Sequence, residues 1–156
     1  MMREEITKRT MLPLVVPLLF LVAGCAAPIK HLTPSGRPEV TITGRVGEQV
    51  VARITDYMLN RGYNVKTATN TLLVFEKPID NVLATVLLGS RYDSTPAARV
   101  TYTTIETETS TRVVASLAAI TNPGSAFERV TPMDNSKDSV SLQQFLNELK
   151  SSLEKP

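Results

Sequence analysis

One thiol, one imidazole and a few carboxylates bound the chemistry open to this 156-residue chain. Cys25 is the only cysteine, so no intramolecular disulfide and no multi-thiolate metal site can form. His31 is the only histidine, and it falls in a proline-rich stretch ahead of the first patterned element. A serine, histidine and acid triad needs a base positioned inside the domain, which this imidazole does not supply. Glu106 and Glu108 stand two apart, the spacing that puts paired carboxylates on one face of a strand. They fall at an expected hairpin tip, where charged residues need no catalytic role. Asp134 and Asp138 flank Asn135, but their spacing does not fit a calcium-binding loop, and they read as a solvated approach to a helix. Thr101, Thr103, Thr104, Thr107, Thr109 and Thr111 read as β propensity on a wet face. Arg91, Tyr92 and Asp93 fit either a recognition loop or a structural one. Neither a phosphate-binding loop nor a dinucleotide fingerprint occurs. The expectation is a non-enzymatic protein with no cofactor and no resident metal.

Cys25 draws its meaning from what precedes it. Residues 1–10, MMREEITKRT, carry three basic side chains and lead into an uncharged apolar run from Met11 to Ala23. That is the pattern of a secretory signal. As a helix, thirteen residues reach about 20 Å, short of a hydrocarbon core of about 30 Å, and Pro13 and Pro17 weaken the helix further. The run ends in Leu21-Val22-Ala23-Gly24-Cys25, which resembles the lipobox of bacterial lipoproteins: an aliphatic residue three before the cysteine and small residues between. The resemblance implies that the Cys25 thiol receives diacylglycerol, that cleavage follows Gly24, and that fatty acyl chains such as palmitate fix the protein to a membrane. Two or three chains on one residue hold stably where one holds only marginally. The residue after the cysteine is Ala26 rather than aspartate, which by the same resemblance points to the outer membrane, with the domain facing the periplasm.

Residues 1–24 are thus expected to be a removable signal peptide, 25–38 the lipidated cysteine with a flexible tether, and 39–156 one globular domain. The tether holds Pro28, Pro34 and Pro38, and could span about 40 Å if extended. Removing residues 1–24 takes three basic and two acidic side chains from 17 and 15, leaving 14 and 13. A net charge of +1 carries no electrostatic footprint for nucleic acid. With 42% hydrophobic and 21% charged residues, the mature chain has the composition of a folding domain rather than a disordered one.

Hydrophobic period then places the elements. Val40 and Ile42 alternate with polar residues in a first strand over 39–43. Val50, Val51, Ile54, Tyr57 and Met58 recur at helical spacing over about 46–61, with Gly62 as the terminator. Strands are expected over 63–67 and 71–77, with Leu73 and Phe75 on one face. A short helix over 80–88 begins at Asp80, with a buried strand as the competing assignment. Residues 92–98 read as a loop. Two strands, 99–107 and 112–120, pair antiparallel across a short polar link. Asn122-Pro123-Gly124 makes a turn before a further short strand near 127–130. Leu142, Phe145, Leu146, Leu149 and Leu153 form the stripe of a C-terminal helix over about 142–153. Ser141 with Gln144 matches a capping box, and Val140 with Phe145 a hydrophobic staple. The leucine stripe is expected to pack on the domain's own sheet.

This order predicts an α+β domain: an antiparallel sheet of four to six strands, with an N-terminal amphipathic helix and a C-terminal helix on one face. The arrangement resembles the helix-grip domains of lipoproteins attached to the outer-membrane barrel-assembly machinery. The implied role is a binding or scaffolding module for another envelope component. The alternative is a carrier or sensor of an apolar ligand such as a lipid, held beneath the C-terminal helix against Ala115, Ala118 and Ala119.

Overall fold

The computed structural model describes residues 30–79 and 95–155. The expected signal peptide, Cys25 and the first residues of the tether lie outside the described residues, as do the short element over 80–88 and Arg91, Tyr92 and Asp93. In chain order the elements are β1 (Glu39–Thr43), α1 (Gly47–Asn60), β2 (Asn64–Ala68), β3 (Leu72–Pro78), β4 (Ala97–Glu106), β5 (Ser110–Thr121), β6 (Arg129–Pro132) and α2 (Lys137–Leu153). The described residues form an α+β domain, with six antiparallel strands and two helices.

The sheet runs β1-β5-β4-β3-β2, and β6 also pairs with β5. β4 occupies one edge of β5 over most of its length. On the other edge β1 takes Ser110–Val114 and β6 takes Ala118–Thr121, so two short strands lie end to end along one long one. Alternation sends Val113, Ala115, Leu117 and Ala119 of β5 to the same buried face as Val100 and Tyr102 of β4, Leu73 and Phe75 of β3, and Val40 and Ile42 of β1. Against this face α1 sets Val50, Ile54 and Met58, and α2 sets Leu142, Phe145, Leu146 and Leu149. Tyr57 of α1 stacks on Phe145 of α2, with ring centroids 3.5 Å apart.

Three expectations need correction. Period two puts Ala118 on the sheet face away from the helices, so only Ala115 and Ala119 lie on the helix side. The threonines are not all on a wet face, since Thr104 and Thr111 are buried on the helix side. Ser141 is not the N-cap of α2. The helix starts five residues earlier, where Ser136 has extended backbone angles and its hydroxyl accepts from the Ser139 amide. Ser141 and Gln144 are exposed positions inside the helix. The smaller offset of β4, which begins at Ala97 rather than after a loop to residue 98, follows from pairing of Ala97 with both Pro78 and Ile120.

Turn chemistry agrees with the residues. Gly62 takes a φ of 78° to stop α1, and its amide donates to the Leu59 carbonyl. Gly124, at φ 75°, occupies the third position of the turn closed by the Ser125 amide on the Asn122 carbonyl.

The outer edge of β1 is satisfied by side chains of α2. The Glu39 amide donates to Gln143 Oε1, Gln143 Nε2 donates to the Glu39 carbonyl, Lys150 Nζ donates to the Thr41 carbonyl, and the Thr43 amide donates to Glu154 Oε1. Four backbone groups that would otherwise invite another strand are closed by one helix. At the opposite edge β2 is exposed along its length, with a register irregularity between Val65 and Thr67 and a lysine, Lys66, both of which discourage edge pairing.

Candidate functional site

Between the end of β1's pairing and the start of β6's, the backbone of β5 has a short gap on its edge. The Ala115 amide donates to the Pro38 carbonyl, and the Leu117 carbonyl accepts from the Met133 amide. The remaining donor, the Leu117 amide, is met by a side chain, Asp134 Oδ1 at 2.7 Å. Asp134 Oδ2 stands 3.3 Å from Arg37 Nε. One carboxylate therefore closes the sheet and holds the chain that leads into β1.

His31 reaches the same place. Its Nε2 lies 3.1 Å from the Asp134 carbonyl and 2.9 Å from Ser139 Oγ. A carbonyl only accepts, so Nε2 carries the proton, and the Ser139 hydroxyl sends its own proton 2.6 Å to the Ser136 carbonyl. The serine and histidine, 108 residues apart, are thus in contact but not as nucleophile and base. The imidazole donates rather than accepts, Ser139 is fully buried, and the Asp134 carboxylate is engaged elsewhere. The described part of the proline-rich segment, residues 30–38, is fastened to the first turn of α2 and to the β5–β6 edge. The contact between His31 and Asp134 spans 103 residues of chain and has no local signal in the sequence.

Glu106 and Glu108 are not brought together as a carboxylate pair. Glu106 ends β4 and Glu108 lies beyond it in the turn. Val46 provides no side-chain cap for α1, and Glu106 takes that place from across the sheet: Oε2 accepts from the Gly47 amide at 2.8 Å, and Oε1 accepts from Arg45 Nε at 3.0 Å. Arg45 first, and then the Gly47 amide, hold its carboxyl below the usual range. Buried Thr111 adds to the same junction, donating to the Gly44 carbonyl and accepting from the Val46 amide.

On the sheet face away from the helices, Glu39 pairs with Arg112 at 2.7 Å. Elsewhere Lys66, Glu76, Arg99 and Glu128 form a chain of ion pairs reaching from β2 to the β5–β6 loop. Each charge in it is answered by an opposite one, which is the mark of a structural network rather than of a poised reactive group. Asp138 is exposed in the first turn of α2. Among the described residues no three histidine, cysteine or carboxylate side chains cluster to hold a metal ion.

Two crevices share Tyr57 and Arg61. An open groove of about 420 Å³ between the helices is rimmed by Arg53, Asp56, Asn60 and Glu148, which suits water better than an acyl chain. A smaller crevice of about 240 Å³ has Met58, Val100, Leu117 and Leu142 for its apolar lining, with Tyr63, Asp138 and Ser141 beside them. Neither is lined by Ala115, Ala118 or Ala119. Beneath α1, the Tyr102 hydroxyl donates to the Met58 sulfur at 3.4 Å, its one partner among the described residues, and burial pushes its pKa up.

Among the described residues no helix is long and apolar enough to cross a membrane. Comparison with known protein families and with curated proteins finds no family and no relative that matches the chain.

Proposed function

We propose that this chain is a lipid-anchored lipoprotein of the bacterial cell envelope, held through Cys25 at the periplasmic face of the outer membrane, where its domain binds or scaffolds another envelope component without catalysis. The observation that carries this reading is the run Leu21-Val22-Ala23-Gly24-Cys25 after a basic start and a thirteen-residue apolar segment. Two of the domain's carboxylates support it in kind, Glu106 serving as a helix cap and Asp134 as a brace on the sheet edge. Purification of the lipidated protein after crosslinking in the envelope tests the scaffolding role. Repeated recovery of one envelope protein supports it, and consistent recovery of an unaccompanied monomer contradicts it.

A second reading, a carrier of an apolar ligand, has the crevice beside Met58, Val100, Leu117 and Leu142 in its favour. At about 240 Å³ it falls below the 300–1,000 Å³ typical of small-molecule sites. Saturable binding of a fluorescent fatty acid, displaced by Leu117→Trp, would move this reading ahead of the first.

A further inference from the structure

Of the eight exposed large apolar side chains among the described residues, four lie along the β6 edge and the clamped tether, and the others, Leu59, Val65, Leu72 and Ile105, are scattered over α1, β2, β3 and β4. Leu32 is fully exposed beside the His31 clamp, Phe127 is 79% exposed, and Val130 and Met133 are exposed along and just after β6. The stretch from Phe127 to Met133 ends at Asp134, the residue that His31 and Arg37 hold. Lys30, Arg129 and Lys137 are exposed on the same segments and enter no ion pair among the described residues, whereas of the acidic side chains there Glu128 and Asp134 are paired with Arg99 and Arg37 and Asp138 is exposed. Apolar side chains bordered by lysine and arginine are the composition of a surface that rests in the interface of an anionic bilayer.

The leash says which side meets the membrane. Cys25 is six residues before His31, and six steps of at most about 3.6 Å reach roughly 20 Å. Crossing the sheet from β6 to β2 takes four strand spacings, roughly 19 Å at about 4.8 Å each. A leash that must be fully stretched merely to cross the sheet keeps the β6 side toward its anchor.

We infer that the β6 edge and the clamped tether form a membrane-facing surface, in which Leu32, Phe127, Val130 and Met133 enter the headgroup region and Lys30, Arg129 and Lys137 meet anionic lipid. The inference rests on acylation of Cys25, and its partner is a lipid surface. It deepens the proposed function by giving the anchored domain one orientation, with the exposed β2 edge directed away from the bilayer.

The lipidated full-length protein, reconstituted in phosphatidylcholine–phosphatidylglycerol vesicles, provides the test. Acylation blocks the only native cysteine, so Phe127→Cys accepts a thiol-reactive, environment-sensitive fluorophore at one place, and Asn70→Cys in the β2–β3 turn serves as the distant control. The expected result is a blue shift of the position-127 probe on reconstitution and several-fold stronger quenching by spin-labelled lipid than at position 70, with a smaller difference in vesicles lacking phosphatidylglycerol. Equal quenching at both positions in protein that floats with the vesicles overturns the inference while leaving the anchor intact, including the case in which this edge is reserved for a protein partner. Labelling of Cys25 in the parent protein, together with failure to float, shows instead that the lipoprotein reading has failed and takes the inference with it.

Discussion

Replacing Asp134 by alanine removes the acceptor that closes the gap in β5. The Leu117 amide gives a 2.7 Å hydrogen bond to a carboxylate, and Leu117 is only 6% exposed, so water is poorly placed to substitute. Hydrogen bonds to charged groups contribute about 1.5–3 kcal/mol, and leaving a buried donor unpaired costs a similar amount. The Arg37 pair is half exposed on the arginine side and adds less than about 1 kcal/mol. Asp134→Ala should therefore destabilise the domain by about 2–3 kcal/mol, or roughly 8–12 °C in Tm at about 4 °C per kcal/mol. Asp134→Asn keeps an oxygen acceptor and should lose about half as much. Urea unfolding of the protein measures the difference, with an unchanged m-value, and amide exchange at Leu117 locates it. If Asp134→Ala unfolds at the wild-type urea concentration, or if asparagine is as damaging as alanine, the bridging role assigned to this carboxylate is wrong.

Stability should fall on acidification below about pH 5. Arg112 holds the Glu39 carboxyl below the ordinary glutamate value of about 4.3, and Lys150 lowers that of Glu154 to about 2, so the contribution of each is complete above the ordinary value and lost as pH falls through its folded one. Glu39→Gln should flatten the pH dependence of Tm in that window while changing little above pH 7 beyond a constant offset. Tyr102→Phe should change stability by less than about 1 kcal/mol, because the lost hydroxyl has only a thioether partner, and a loss above about 2 kcal/mol in urea unfolding would show a stronger bond there. Leu146→Ala, at a fully buried site where α2 meets the sheet, should cost about 2–5 kcal/mol by the same assay, and a cost under about 1 kcal/mol would mean that α2 is loosely docked.

What could be read from the sequence is what rests on local period. Val40 with Ile42, Leu73 with Phe75 and the β5 alternation each announce a strand and its buried face, and the stripe from Leu142 to Leu153 announces α2 and the surface it covers. The start of α2 has a weaker local signal, because serines at 136, 139 and 141 compete as caps, and the choice of Ser136 depends on backbone that Asp134 and His31 hold from outside the helix. The start of α1 has no local signal, since its cap, Glu106, lies 59 residues from Gly47 and comes into reach only when β4 is in place. Ala118 and Ala119 show the limit of composition alone, for neighbours in a strand face opposite ways. Gln143, Lys150 and Glu154 do carry a signal, standing seven and four residues apart on one side of the leucine stripe, but nothing local says that they meet the edge of β1.

The proposed acylation of Cys25 is tested most directly by metabolic labelling with a palmitate analogue in a bacterial host. The wild-type protein should take up the label, run as the shorter processed form and fractionate with membranes. Cys25→Ser lacks the thiol that accepts diacylglycerol, so it should remain an unlabelled, uncleaved precursor. Wild-type protein that takes up no label and is recovered as a soluble periplasmic form would contradict the account and make residues 1–24 an ordinary cleaved signal.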